Sequence, residues 1–534
     1  MEPILYAAAA VLAITAVVNL IARSINIPSP IVLVVAGALL AVTPGLPRIA
    51  LPPNLVLLVF LPPLIYYAAF GMSWQAFRLN LRPIVLLAVG CVVFTTVTVA
   101  AAAHWLIGLS WPVAFVLGAI VSPPDTVAPL AIARRLGVPR RITAVLEGEG
   151  LVNDATALVL FKFALVATLT GAFSLMDATL TFGAIVVGET LYGLLVGFVM
   201  LRLRYWARDP LVEVTLSLLT PFIAFWLPHE SGGSGVLATV VAGLYVGAKG
   251  VELIRSNTRL QALFFWGFVT YLIESAIFLL TGLQASTVLA NLDRAHWGHV
   301  LLYAIAISAV AIIVRFAWVF PATYLPRMFS ARLRERDPAP PWQYPFMIAF
   351  TGIRGVVSLA AALSIPLMIG TGEPFPDRGL ILLVTFSVIV VTLVLQGPTL
   401  PWIVARLGLV NAASEETLRM KQREDDVRIE AAQAALDALD QVATTNGLTA
   451  DNVRLMREVH ADRILRLQQR HADQAESRSA SLAIDRAALS LIKIERNYVN
   501  RQLRDGHIED ETRRSIERDL DLREEALRRS MAND

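Results

Sequence analysis

The chain alternates long apolar runs with short polar breaks, and most of the runs are as long as a bilayer is thick. A spanning helix needs about 20 mostly apolar residues. Thirteen runs are read as spans, at residues 3–23, 29–46, 54–72, 83–107, 111–136, 142–171, 175–205, 210–228, 234–248, 261–284, 298–325, 341–369 and 378–408. Beyond residue 410 the pattern changes to charged helices with narrow apolar faces, such as Ile484 to Ile492, broken at Thr444-Thr445-Asn446-Gly447. The pattern predicts an all-α polytopic membrane domain over residues 1–410 and a helical, cytoplasmic tail over 411–534.

Two of the runs are interrupted. The fifth carries Ser122-Pro123-Pro124-Asp125-Thr126 and the twelfth carries Gly352-Ile353-Arg354-Gly355. Runs one to six and eight to thirteen make two sets of six joined by the seventh, and the interruption is the fifth run of each set. An offset of seven runs is odd, so the second set starts from the opposite face and the repeats are inverted. Proline and glycine at matching places in two halves point to two crossed, broken helices around a midplane site. Unwound backbone survives at that depth where it lines a cavity. The two runs share little direct similarity, so the repeat rests on pattern alone.

Charge sorts the loops. The hydrophobic fraction is 56% and charged residues are 16%, too apolar for one soluble core. From Asn411 onward there are 21 Lys and Arg against 25 Asp and Glu, a net of −4, which leaves +7 on the first 410 residues. Those basic groups sit in short loops, so the overall +3 does not argue for nucleic acid. Alternate loops hold 18 of them, while the opposite loops hold only Arg48, Arg294 and Arg378. The positive-inside rule puts the rich side in the cytoplasm, with the N-terminus outside and the tail inside. Glu2 and the lack of a basic leader make the first run a retained helix rather than a signal peptide. The single Cys91 lies in an apolar run, so disulfides play no part.

The polar residues inside the spans carry the chemistry. Glu149-Gly150-Leu151-Val152-Asn153-Asp154 puts two carboxylates and a carboxamide in the sixth run, where a buried charge costs several kcal/mol. Glu149 and Asn153 share a helical face, with Asp154 beside it. The broken fifth run adds Asp125, the hydroxyls of Ser122 and Thr126, and free carbonyls, which together suit a hard cation such as Na⁺. Arg354 is always charged and needs a buried acid. Glu149 is assigned as its partner, which leaves one acid free to exchange H⁺ for a metal ion. Glu274 is a second candidate partner, for Arg354 or Arg315. Lys162 lies two turns beyond Asp154 and can snorkel, so no role is assigned to it. Three other readings stay open: an interhelical hydrogen-bond cluster, a cation channel, and an intramembrane enzyme using Glu149 and Asp154. The spans offer no convincing nucleophile or metal-ligand cluster for the last. The tail has no nucleotide-binding glycine pattern.

Val121 to Ala128, Glu149 to Asp154, Phe350-Thr351-Gly352-Ile353-Arg354-Gly355 and Arg315-Phe316-Ala317-Trp318 resemble the monovalent cation:proton antiporter-1 family, the sodium/proton exchangers, over about residues 5–408. The resemblance implies a homodimer in the plasma (inner) membrane, thirteen helices, a six-helix ion-binding core at about 83–171 and 298–408, and elevator-like movement. It implies that Asp154 binds cation or proton, with Na⁺ at Asp154 and Asp125, and that Glu149 pairs with Arg354. An Asn-Asp pair, where electrogenic relatives have Asp-Asp, implies one-for-one electroneutral exchange. No cofactor is implied beyond the transported Na⁺ and H⁺, with K⁺/H⁺ exchange as the alternative. The tail is regulatory, dimer-stabilising, or simply solvated. Two departures stand out. Many members have Ser or Thr where this chain has Gly150, which leaves that place to a water and the choice among Na⁺, K⁺ and Li⁺ open. The usual order Thr-Asp-Pro is here Pro124-Asp125-Thr126, which leaves open which carbonyls are freed.

Overall fold

Inside a bilayer each backbone N–H and C=O must be satisfied within the protein, so apolar runs become helices. The computed structural model describes residues 2–25, 27–43, 52–286, 297–369, 373–471, 475–505 and 507–533. Arg48 and Arg294, and the end of the second run, lie outside these. Contacts divide the chain into two compact units, Met1–Ala413 and Ser414–Asp534.

The first unit is built from α1 (Glu2–Ser24), α2 (Ser29–Ala41), α3 (Leu55–Gly71), α4 (Leu81–Ile107), α5 (Trp111–Val121), α6 (Val127–Leu136), α7 (Arg140–Thr170), α8 (Leu175–Ala207), α9 (Pro210–Glu230), α10 (Val236–Leu253), α11 (Ser256–Leu283), α12 (Trp297–Phe329), α13 (Gln343–Phe350), α14 (Val356–Leu363) and α15 (Arg378–Arg406). Within the described residues, each of the thirteen predicted runs forms a helix or, for the fifth and twelfth, a pair of short helices around a break. Among the described residues, eight helices are long and apolar enough to cross a membrane by length and composition. Strand structure among the described residues amounts to one isolated bridge, Met368 to Pro374. The fold is that of a polytopic all-α membrane protein with two crossed broken helices.

The helices fall into two sets. In one, α4 packs on α5 and α12, α5 on α7, and α15 on α6, α12 and α14. The short helix α5 runs through the middle of this set, and every residue from Val116 to Val121 is buried. In the other, α2 packs on α11, and α10 on α3, α8 and α9. Here Glu189 of α8 is buried and accepts hydrogen bonds from the amides of Ser234 at 2.6 Å, Gly235 at 3.0 Å and Ala238 at 3.3 Å. A carboxylate there answers the positive end of α10. Lys162 of α7 reaches from the first set to the second, where its Nζ donates to the Gly233 carbonyl at 2.5 Å.

The second unit contains most of α16 (Leu409–Asp437), then α17 (Leu439–Asn446), α18 (Ala450–His471), α19 (Ala475–Arg504) and α20 (Asp510–Asn533). Gly447 closes α17, where the sequence pattern breaks. α19 and α20 pack together around Ile492, Val499 and Leu520, and Arg496 bridges to Asp521 at 2.6 Å and Glu524 at 2.9 Å. Ile484 and Leu491, part of the apolar face read from the sequence, are exposed.

Candidate cation site

Helix α5 stops at Val121 because Pro123 and Pro124 cannot donate to its carbonyls, and α6 resumes at Val127. Helix α13 stops at Phe350, and α14 resumes at Val356. The two breaks cross and satisfy each other's backbone. The Asp125 amide donates to the Ile353 carbonyl at 2.6 Å, and Arg354 Nε donates to the Val121 carbonyl at 2.9 Å. Gly355 is what lets them come so close, since a Cβ there would overlap the Asp125 carboxylate.

That carboxylate is held by helix ends. Its Oδ1 accepts the Val127 amide at 2.9 Å, and the Val356 amide lies beside it and stabilises its charge. These are the first residues of α6 and α14, so two positive helix N-termini face one anion. From α7, Asn153 is fully buried and its Nδ2 donates to the Pro124 carbonyl at 2.7 Å. Its Oδ1 has no partner among the described residues. Asp154, next along, has no hydrogen bond or ion pair among the described residues and faces a cavity of about 490 Å³.

This cavity lies between the two helix sets. Asp125, Thr126, Gly150 and Asp154 line it from one set, and Thr270 and Glu274 of α11 from the other. It extends to the ion pair Arg134–Glu147 at 2.7 Å, on the arginine-rich face, where the Arg134 side chain is 62% exposed. Among the described residues no group of three His, Cys, Asp or Glu could hold a metal ion. The oxygens on offer are the carboxylates of Asp125, Asp154 and Glu274, with Glu147 engaged by Arg134, and several neutral groups, a set that suits a hydrated alkali cation.

Three expectations change. Glu149 does not pair with Arg354. It is fully buried and takes a bidentate bond from Arg315 of α12, with Nη1 to Oε1 at 2.5 Å and Nη2 to Oε2 at 2.8 Å. Arg315 also donates to the Ile348 carbonyl from Nε at 3.2 Å and Nη2 at 3.0 Å. Arg354 is instead surrounded by carbonyls: Val121, Gly352, and Ala311 at 3.4 Å. The physical reason is the breaks themselves. The C-terminal end of α5 and the unwound Gly352 leave unsatisfied carbonyls with partial negative charge, so this guanidinium needs no carboxylate. Second, Ser122 is buried away from the cavity and its hydroxyl donates back to Ala119 at 3.0 Å. Third, Glu274 lines the cavity and bonds to neither Arg354 nor Arg315. Sequence reasoning missed Arg315 as the partner of Glu149. The signal was its depth, near the middle of a 33-residue apolar helix.

Comparisons with known proteins point one way. Residues 9–406 match the family described as "Sodium/hydrogen exchanger, transmembrane". An uncharacterised Na⁺/H⁺ exchanger of Mycobacterium tuberculosis is 35% identical over 530 residues, covering 97% of this chain and 95% of that one. A sodium, potassium, lithium and rubidium/H⁺ antiporter of Bacillus subtilis is 34% identical over 403 residues, 73% of this chain and 60% of that one. Among solved structures, the sodium proton antiporter MjNhaP1 of Methanocaldococcus jannaschii superposes with a TM-score of 0.61 at 20% identity, over 76% of this chain and 99% of that one.

Proposed function

Because the chain belongs to the sodium/hydrogen exchanger family, we propose that it exchanges Na⁺ for H⁺ across the membrane at Asp154 and Asp125, one for one. One observation carries the site assignment: Asp154 faces the cavity with no partner among the described residues, while Glu149 and Asp125, the other acids beside the two breaks, are held. Glu149 is neutralised by Arg315, and Asp125 is fixed by two helix N-termini. Among the acids of the helices that carry the two breaks and of α7, Asp154 is the one free to take a proton or a cation in turn, with Asp125 completing the cation's charge balance and Glu274 of α11 facing it across the cavity. A site that holds one or the other, never both, couples the two fluxes.

The neutral Asn153 supports the one-for-one stoichiometry, since a second carboxylate there would offer a second proton. The cavity supports alternating access. It opens at the seam between the helix sets, so sliding α4–α7 and α12–α15 against the other helices would close it on one face and open it on the other. The arginine-rich face would be cytoplasmic, with the N-terminus outside and the tail inside, and the protein would act as a homodimer in the plasma membrane. Relatives named for Na⁺ alone and for several alkali cations leave Li⁺ and K⁺ as the other substrates to assay.

The test is reconstitution into liposomes with a trapped pH dye. A jump in external Na⁺ should move protons the other way and stop when the Na⁺ gradient is dissipated. Cation flux without coupled proton movement would overturn the reading in favour of a channel.

A further inference from the structure

One turn before Asp154, helix α7 presents bare backbone to the cavity. Gly150 lies four residues ahead of Asp154 and on the same face. The side chain of Thr126 fills the space above it. A Cβ at Gly150 would overlap Thr126 Oγ1 and come within 2.9 Å of the Thr126 Cβ and Cγ2. No residue but glycine fits at 150 while Thr126 sits there.

Among the described residues the Thr126 hydroxyl lacks a partner, as do those of Thr258 and Thr385, but of these three it alone lines the cavity. Thr96, Thr168 and Thr392 each donate back to the carbonyl four residues earlier, at 2.8 Å. Thr126 cannot, because the residue four earlier is Ser122, inside the break. It also stands at the N-cap of α6, where a threonine hydroxyl ordinarily accepts an amide of the first turn, and it makes no such bond. Among the described residues its oxygen has no partner, and it lines the cavity with Asp125, Gly150 and Asp154.

We propose that Thr126 Oγ1 is a ligand of the transported cation between Asp125 and Asp154, and that Gly150 is the positioning residue that admits it, so that the Thr126–Gly150 pair sets cation preference. The inference rests on the antiport reading and deepens it. A hydroxyl carries no charge, so it leaves stoichiometry alone and acts on the fit of the cation. Its placement on the unwound segment, rather than on α7, fixes the spacing of the ligand set.

The experiment measures exchange by the reconstituted protein against Na⁺, Li⁺ and K⁺ concentration, with size-exclusion profile and melting temperature as folding controls. Thr126→Val should raise the half-saturating Na⁺ concentration about tenfold, the scale of one lost polar contact, and change the Na⁺:Li⁺:K⁺ ratio. Gly150→Ala should impair exchange when Thr126 is present and do much less harm beside Thr126→Ala, a non-additive cycle. Gly150→Ser with Thr126→Ala returns a hydroxyl from the opposite helix and should recover Na⁺ affinity relative to Thr126→Ala alone. If Thr126→Val keeps the wild-type constants and ratio, or Gly150→Ala acts equally in both backgrounds, the inference is overturned while the antiport reading stands. A folded wild-type protein that moves no protons in response to any of the three cations would overturn both.

Discussion

Glu149 and Arg315 meet head-on between α7 and α12, two oxygens against two nitrogens at 2.5 and 2.8 Å, both residues out of reach of solvent. A buried pair is weak evidence of stability by itself, but breaking one is costly because the remaining charge is stranded. Removing one partner costs about 3–5 kcal/mol. Glu149→Ala and Arg315→Ala should each lower the melting temperature in detergent. The double variant should be more stable than the sum of the singles, and the corresponding cycle for Glu149 with Arg354 should be nearly additive. Additivity for Glu149 with Arg315 would contradict the pairing.

Arg354 makes a different prediction. Its bonds run to carbonyls on α5, α12 and the break itself, together with its amide to Thr392 Oγ1 at 3.0 Å. A lysine keeps the charge but not the planar set of five donors. Arg354→Lys should therefore lose both melting temperature and exchange rate. A lysine variant as stable and active as wild type would mean that the charge alone matters.

Stoichiometry can be read from voltage. The membrane potential is worth about 2.3 kcal/mol per charge per 100 mV. A site carrying one Na⁺ or one H⁺ moves no net charge per cycle. Imposing a K⁺/valinomycin potential should leave the initial exchange rate unchanged. A clear voltage dependence would reject the scheme and make Asp125 the second proton carrier to test.

The α19–α20 pairing should respond to acid. Arg528, and after it Arg496, hold the Glu524 carboxyl below the ordinary carboxylate range. A lowered folded pKa stabilises above the unfolded value of about 4.3, and the contribution is lost as pH falls through the folded one. Hydrogen exchange on the full chain should show α20 losing protection as pH drops below that range, and Arg496→Ala should flatten the response. Equal protection at both pH values, after correction for intrinsic exchange, would contradict it.

Much of this architecture is legible in the sequence, because bilayer length and helix-breaking residues are one-dimensional signals. Pro123, Pro124, Gly352 and Gly355 mark both breaks, and the Asn153-Asp154 pair marks the polar centre. Pairing is not a one-dimensional signal. Arg315 and Arg354 can each be matched with Glu149 or Glu274, and the choice depends on which helix ends cross. Carbonyl ends of α5 satisfy Arg354 only once the breaks have met, so no residue in the sequence announces them. The same holds for Ser122, whose hydroxyl turns back to Ala119, for Lys162, which finds the Gly233 carbonyl, and for Gly150, whose missing side chain gains meaning only from Thr126 above it.

The central claim is that one carboxylate carries the cation and the proton in turn. Asp154→Asn tests it most directly, since the amide keeps the shape and can neither balance a cation nor release a proton. The measurement is Na⁺-driven proton flux in proteoliposomes, beside a size-exclusion profile showing that the variant is folded. The account predicts flux at the level of empty liposomes. Na⁺-driven exchange retained by the folded Asp154→Asn protein would contradict it.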